Sequence, residues 1–229
     1  MSQDYESNPN ADSTLTIPNI ELSDRGWTCV KAINSRSALL RLARMLGRPV
    51  PSPTGEVIKE LSPIPRMRAR KGTFSEAYGF GSFPLHTDAA FWALPPRYLV
   101  FRAYGDIRRN TTILSFANLF RDGGPRLREL AERSLWLVRT PSQSVYCSMK
   151  FASKVGPGWR YDPHCMTPVN DAASEVRRQL DPLLAGSHLE RIHWMADTAL
   201  VLCNWKVLHG RGASPSRESN RIIERIYVQ

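Results

Sequence analysis

The sequence predicts a mainly β protein in which a sandwich of short strands is flanked by a few helices. Short runs rich in β-branched and aromatic residues recur between turn signals, and the last run, residues 221–228, alternates with period 2. A chain of 229 residues also has the length of a single all-β domain. We therefore expect a polar tail over residues 1–18 and one domain over residues 19–229.

Two helices are predicted from apolar residues at helical spacing. The first covers residues 36–46, with Asn34 or Ser35 as its cap and Gly47 at its end. Its apolar stripe consists of Leu39, Leu42, Ala43 and Leu46. The second covers residues 171–184, and Pro182 should disturb its end. Its inward-facing residues are Ala173, Val176 and Leu180.

Strands are predicted from β-branched and aromatic runs at residues 99–104, 111–114 and 135–138. Residues 192–195 and 199–203 flank a turn at Asp197 and are predicted to form a hairpin that leads to His209. Residues 49–81 are rich in proline and glycine, which predicts a loop of the kind found beside functional sites.

The last predicted strand places two arginines on one face. Its alternation puts Arg221, Ile223, Arg225 and Tyr227 on one side and Ile222, Glu224, Ile226 and Val228 on the other. An unpaired guanidinium is costly to bury, so arginines that face a core usually have an anionic partner. A dicarboxylate ligand would supply that partner.

The chain carries a net charge of +10, and a basic run at residues 66–71 precedes the predicted site. One interpretation is a solvated basic surface without a partner. A second is an anionic small substrate, bound by Arg225 and Arg102. A third is a nucleic-acid substrate whose bases stack on aromatic side chains. The candidates for stacking are Phe74, Tyr78 and Phe91.

Other sequence features argue against several classes of protein. No apolar run approaches the ~20 residues that cross a bilayer, and the first residues lack the regions of a signal peptide. We therefore expect a cytoplasmic protein without a membrane partner. The four cysteines have no Cys-x-x-Cys spacing and predict neither a zinc site nor a disulfide framework. The sequence leaves the oligomeric state open.

A candidate metal site comes from His86, Asp88 and His209. A His and a carboxylate two residues apart on an extended segment point to the same side, so one stretch can supply two ligands. Two imidazoles and one carboxylate form the facial triad of non-haem Fe(II) oxygenases, which leaves three positions for a cosubstrate and O2.

Three segments of the chain resemble the taurine dioxygenase and clavaminate synthase-like family of Fe(II)/2-oxoglutarate-dependent oxygenases. The segments are residues 83–88 (FPLHTD), residues 95–100 (PPRYLV), and residues 204–211 (NWKVLHGR) with the trailing Arg221 and Arg225. The resemblance runs from about residue 20 to the C-terminus. It implies a double-stranded β-helix, which is a jelly-roll variant whose open mouth can host a site.

The resemblance implies roles for five residues of the core site. His86, Asp88 and His209 would ligate Fe(II), and Arg221 would hold the far carboxylate of 2-oxoglutarate. A threonine would bind the same carboxylate; we favour Thr112, with Thr111 as the alternative.

The resemblance also implies a reaction in which 2-oxoglutarate and O2 are cosubstrates and 2-oxoglutarate is decarboxylated to succinate and CO2. Because the acidic ligand is present, hydroxylation, desaturation or ring formation is favoured over halogenation. We expect a small polar substrate, an amino acid or a natural product derived from one. The candidate substrate-binding residues are Arg225 for a carboxylate, Asp162 for an amine, and Arg160, Tyr78 and Phe91. A non-catalytic jelly-roll binding protein is the alternative to an enzyme.

Overall fold

The computed structural model describes residues 22, 24–105, 110–140, 143–186, 189–212 and 222–229. The elements of the first half are β1 (Trp27–Lys31), α1 (Arg36–Leu46), β2 (Pro49–Val50), β3 (Lys59–Leu61), a 3-10 turn (Arg66–Arg68), α2 (Phe74–Tyr78), β4 (Phe83–His86), β5 (Tyr98–Tyr104) and β6 (Thr111–Ser115). Those of the second half are α3 (Phe116–Asp122), α4 (Gly124–Arg133), β7 (Leu135–Arg139), β8 (Ser144–Ser148), β9 (Lys150–Phe151), β10 (Gly158–Trp159), β11 (Met166–Pro168), α5 (Asp171–Gly186), β12 (Glu190–Ile192), β13 (Thr198–Cys203), β14 (Val207–Arg211) and β15 (Ile222–Val228).

Two antiparallel sheets face each other at the centre of the structure. The larger sheet has the order β1-β13-β5-β15-β2, with β3 also paired to β15, and the smaller has the order β12-β6-β14-β4. A shared core fills the space between them, because apolar residues of both sheets alternate inward. Its members include Leu99, Phe101, Leu200, Leu202 and Tyr227 from the larger sheet, and Ile113, Ile192 and Val207 from the smaller.

Helices cover the outer faces of both sheets. On the larger sheet, Leu39 and Leu42 of α1 pack against Val100 and Ile226. On the smaller sheet, a second core joins β4, β6 and β14 to α3, α4, α5 and the sheet of β11, β7 and β8. The structure therefore confirms the prediction of a mainly β protein in which helices flank the sheets.

The alternation predicted for the last strand is confirmed over its described residues. Ile226 packs under α1, whereas Tyr227 lies in the core between the sheets. Glu224 also faces outward and is 1% exposed. Its carboxylate accepts hydrogen bonds from Arg102 at 2.5 and 2.8 Å and from Arg36 at 2.5 Å. Arg102 therefore neutralises a buried carboxylate on the outer face, which removes it from the candidates for anion binding at the site.

The predicted helices form with nearly the predicted bounds. Helix α1 spans Arg36–Leu46, and its cap is Ser35, whose Oγ accepts a hydrogen bond from the Ala38 backbone at 3.2 Å. Helix α5 begins at Asp171 as predicted, but it continues through Pro182 to Gly186. Because Pro182 lies near the C-terminal end, its missing N–H removes a single bond of the last turns.

The predicted hairpin is wrong. Strand β12 pairs with β6 in the smaller sheet, whereas β13 pairs with β1 and β5 in the larger. The turn signal itself was right, since Asp197 has φ = 53°. All six residues of β13 are buried, so this strand takes a central place with a neighbour on each side, and the chain crosses from one sheet to the other.

Several further elements were not predicted. Helices α3 and α4 and the sheet of β11, β7 and β8 were missed apart from a strand near 135–138. The supposed loop at 49–81 contains β2, β3 and α2. Within the described residues, none of the helices combines the length and apolar character that crossing a bilayer requires.

The packing of α1 predicts which of its apolar residues stabilise the fold. Leu42 is 0% exposed beneath the larger sheet, whereas Met45 is 52% exposed. Leu42→Ala should therefore lower the free energy of unfolding by about 2–5 kcal/mol, since it leaves a cavity. Met45→Ala should change it by about 0.5 kcal/mol or less. Equilibrium urea unfolding of both variants measures the difference; equal losses would contradict the packing described.

Candidate metal centre

Strand pairing brings the two histidines together across the smaller sheet. Strand β4 ends at His86 and pairs antiparallel with β14, so that His209 lies directly opposite His86. The two imidazole ring centres are 4.5 Å apart. Asp88 follows two residues later, and its Oδ1 is 3.3 Å from His86 Nε2 and 3.6 Å from His209 Nε2. Two imidazole nitrogens and one carboxylate oxygen thus converge from distant parts of the chain.

The three side chains have the properties of a metal-binding set. Their candidate ligand atoms all lie within 4.8 Å of one another, and no other His, Cys, Asp or Glu group of the described residues meets this criterion. All three are buried, with exposed fractions of 5–8%. The Nδ1–H of His86 can donate to Pro84 O at 2.8 Å, which orients Nε2 toward the carboxylate. Imidazole and carboxylate donors in this ratio suit a divalent transition metal.

The electrostatics of the centre favour an ionised carboxylate beside a cation. Burial acts to raise the pKa of Asp88, but Arg225 and the two imidazoles hold it well below its usual range. Burial lowers the pKa of His209 to about 3, so its ring is neutral and keeps a lone pair for a metal. Burial acts against a charge on His86, yet the hydrogen bond to Asp88 raises its pKa. Proton and metal therefore compete for His86.

Arg225 donates a hydrogen bond to the second oxygen of the Asp88 carboxylate. Its Nη1 lies 2.7 Å from Asp88 Oδ2, while Oδ1 of Asp88 faces the two histidines. The guanidinium also lies 4.3 Å from the ring centre of Tyr227, on the same face of β15. One oxygen of the Asp88 carboxylate thus faces the two histidines, and the other is held by Arg225. This contact fixes the orientation of the carboxylate.

Asn204 holds the backbone of Asp88, a contact that the sequence alone did not identify. Its Oδ1 accepts a hydrogen bond from the Asp88 N–H at 2.9 Å, and its Nδ2 donates to Asp88 O and Pro96 O at 3.0 Å each. Asn204 is 0% exposed, so its amide is satisfied by these contacts alone. An asparagine directly after a wholly buried strand was the available signal.

A glycine allows the close approach of the two ligand-bearing strands. A Cβ at Gly210 would lie 2.9 Å from Phe83 O and 3.0 Å from Thr112 Oγ1. The pairing of β14 with β4 shifts register just after His209, between residues 209 and 211. The separation of His86 and His209 therefore depends on the absence of a side chain at this position.

A cavity of about 460 Å³ opens beside the three candidate ligands. Its inner wall comes from the central strands of the two sheets. Its outer wall comes from residues 59–81, which begin with the edge strand β3 and which we call the cover segment. The inner wall includes Phe83, Phe101, Thr111, Trp194, Ile223 and Arg225. The cover segment contributes Glu60, Leu61, Ser62, Pro63, Ile64, Thr73, Phe74 and Ser75.

The structure places Thr111, and not Thr112, on the cavity wall. In β6, Ile113 faces the core between the sheets and Leu114 faces the opposite core. Alternation therefore turns Thr111 inward with Ile113 and turns Thr112 outward, where its Oγ1 lies beside Gly210. The preference for Thr112 is corrected on this ground, and Thr111 becomes the candidate. Arg221 lies outside the described residues.

Two of the predicted substrate-binding residues lie elsewhere. The Arg160 guanidinium donates to the carbonyls of Ala90, Trp92 and Ala93 at 2.7–3.1 Å, and it is 4% exposed. It thereby fixes the loop that follows Asp88. Phe91 and Arg160 both line a separate hollow beside β8. Neither side chain lines the cavity beside His86, Asp88 and His209, so the structure does not bring these two predicted residues together with the candidate metal ligands.

Asp162 and Tyr78 lie near the cavity without lining it. Asp162 Oδ1 accepts from the His164 N–H at 2.9 Å, and its Oδ2 accepts from Cys165 Sγ at 3.3 Å. Its carboxylate therefore stabilises its own turn. The Tyr78 ring belongs to an aromatic cluster of the cover segment, 5.9 Å from Phe74 and 6.2 Å from His164.

Solved structures share this fold, although no protein-family model and no curated protein matches the sequence. An asparagine oxygenase in complex with Fe(II), 2S,3S-3-hydroxyasparagine and succinate is 14% identical, with a TM-score of 0.74 over 92% of this chain and 77% of that chain. The non-heme iron oxygenase OrfP, in complex with Fe and alpha-ketoglutaric acid, is 20% identical, with a TM-score of 0.67 over 92% and 77%. PvcB from Pseudomonas aeruginosa is 18% identical, with a TM-score of 0.67 over 92% and 78%. At these identities the likeness establishes the fold.

The contacts of Asn204 predict an effect on metal affinity. Asn204→Leu keeps the side-chain volume but removes the bonds to the Asp88 backbone, and we expect it to weaken Co(II) binding by about 10- to 100-fold. Trp205→Phe is the matched control, since it removes the bond from Trp205 Nε1 to Pro95 O in the same loop without touching Asp88. Titration with Co(II) by absorbance measures both. Equal affinity of Asn204→Leu and the wild type would contradict the role described.

Proposed function

We propose that the chain is an Fe(II)/2-oxoglutarate-dependent oxygenase that hydroxylates an amino acid or a compound derived from one. The observation that carries the proposal is the convergence of His86, Asp88 and His209 at a buried corner of an open cavity. The fold shared with two iron oxygenases supports it. Two facing antiparallel sheets with the site between them also support the finer assignment of a double-stranded β-helix.

In this proposal, His86, Asp88 and His209 would hold Fe(II) through two imidazole nitrogens and one carboxylate oxygen. Bound Fe(II) would supply the activation of O2 for a balanced reaction in which a substrate C–H becomes C–OH and 2-oxoglutarate becomes succinate and CO2. The protein orients the Asp88 carboxylate through two neighbouring residues. Asn204 fixes the backbone of Asp88, and Arg225 keeps one carboxylate oxygen toward the metal.

Thr111 and Arg221 are proposed to bind the far carboxylate of 2-oxoglutarate. Trp194 Nε1 donates to Thr111 Oγ1 at 3.1 Å, so the hydroxyl hydrogen of Thr111 can be donated to a carboxylate. Arg221 is proposed from the family resemblance, since an arginine can pair with a carboxylate through two parallel hydrogen bonds.

Arg225 is proposed to receive the carboxylate of the substrate. Its side chain is 16% exposed and lines the cavity, and its ion pair with Asp88 is made through Nη1. The guanidinium carries five N–H donors, which allows a second carboxylate to bind at the same side chain. A substrate held there would lie beside the metal-binding corner.

Anaerobic titration with Fe(II) and 2-oxoglutarate tests the proposed reaction class. We expect a weak visible charge-transfer band in the wild type, no band in Asp88→Ala, and no succinate from His86→Ala, Asp88→Ala or His209→Ala. Arg221→Ala should need much more 2-oxoglutarate to form the band. A folded wild type that binds Fe(II) but gives neither band nor succinate would refute the oxygenase and favour a binding protein.

The opposite orientations of the two threonines give a second test. Thr111→Val removes a hydroxyl from the cavity wall, and we expect the 2-oxoglutarate concentration at half-maximal band intensity to rise about five- to tenfold. Thr112→Val has the same change in shape on the outward face and should leave that concentration unchanged. The reverse order of effects would restore Thr112 as the cosubstrate ligand.

A further inference from the structure

The outer wall of the cavity is mainly apolar. Four side chains of the cover segment line it: Leu61, Pro63, Ile64 and Phe74. The ring of Phe83, from the inner wall, lies beside Phe74. Apart from Glu60, the polar residues that the cover segment contributes to the lining have small hydroxyl side chains. They are Ser62, Thr73 and Ser75. A ligand that reaches from the metal-binding corner toward this wall therefore meets hydrocarbon over most of its length.

Phe74 forms the part of this wall that is nearest to the candidate ligands. Its ring centre lies 4.3 Å from that of His86, 5.3 Å from that of Phe83 and 5.2 Å from that of His164. Helix α2 holds the ring there, and Thr73 caps that helix through its hydrogen bond from the Glu76 N–H at 3.4 Å. A substrate carbon presented to the metal would therefore lie beside an aromatic side chain.

The charged side chains of the lining are almost all engaged with the protein. Glu60 accepts hydrogen bonds from Arg36 and, at 3.1 Å, from Tyr104. Arg211 donates to the carbonyls of Gly79 and Gly81 at 2.7 Å each. Asp88 belongs to the candidate metal centre. Arg225 also pairs with Asp88, through Nη1, but among the described residues that line the cavity it is the cation that lies directly beside the candidate metal ligands. We therefore assign the charged end of the substrate to Arg225.

We infer that the substrate is a carboxylic acid with an aliphatic or aromatic body, bound by Arg225 at its carboxylate and by Leu61, Ile64 and Phe74 at its body. This inference rests on the proposed function and narrows its substrate class. An amide or a guanidinium group against the cover segment would lose its water without gaining enough partners. The chain is therefore expected to differ from the asparagine oxygenase and OrfP, whose solved complexes contain hydroxyasparagine and hydroxyarginine.

The first experiment compares ligands on the wild-type protein loaded anaerobically with Fe(II) and 2-oxoglutarate. L-Leucine and L-phenylalanine should perturb the charge-transfer band at concentrations at least about tenfold below those needed for L-asparagine and L-arginine. The amides of leucine and phenylalanine, which lack the carboxylate, should bind more weakly than the acids. On admission of O2, the acids that perturb the band should also stimulate succinate formation.

A pair of variants tests the wall itself. Leu61→Asn places a polar group of similar size on the cavity wall and should reduce the preference for L-leucine over L-asparagine by about tenfold. Val57→Asn is the matched control, because Val57 is 37% exposed, precedes the cover segment and does not line the cavity. It should leave the preference unchanged.

The outcomes separate this inference from the proposed function. If the band forms and the polar amino acids bind as tightly as the apolar ones, or none of the acids perturbs it, the inferred substrate class is wrong while the oxygenase stands. If no band forms with Fe(II) and 2-oxoglutarate, the proposed function itself fails and the inference fails with it.

Discussion

The antiparallel pairing of β4 with β14 is the interaction on which the site depends. It places His209 opposite His86, and the chain after β4 then has two residues in which to bring Asp88 to the same corner. The other features of the centre act on that short stretch. Arg160 donates to the carbonyls of Ala90, Trp92 and Ala93. Asn204 bonds to the Asp88 backbone, and Arg225 bonds to the Asp88 side chain. The geometry of the three candidate ligands thus follows from one strand pair and from the hydrogen bonds of three polar side chains.

The sequence predicted those features that local spacing determines. The two-residue interval between His86 and Asp88 and the period-2 alternation of β15 depend only on extended backbone, and the structure reproduces both faces of β15 over its described residues. Helix α1 was also predictable, because its apolar stripe and its serine cap are local signals. The face on which a functional residue lies can therefore be predicted from sequence when the helix or strand that contains it is predicted correctly.

The sequence did not predict the features that depend on tertiary contacts. Thr111 and Thr112 have the same side chain on one strand, and only the positions of the two sheets decide which one faces the cavity. The segment that contains Arg160 gave no sign that its guanidinium would serve three backbone carbonyls. The turn at Asp197 was predicted correctly, but the change of sheet was not, since the burial of β13 on both faces is a property of the whole sandwich.

Gly210 has a consequence for how this centre could change in evolution. Since the distance between the two imidazoles is set by how closely two backbones approach, a mutation to any larger residue at this position would widen the gap between the strands and spread both ligands at once. Replacing a ligand side chain, by contrast, alters one donor and leaves the frame intact. The type of each ligand side chain can therefore change one residue at a time in this fold. The distance between the ligands, by contrast, is determined by the backbone and changes only when the strands move.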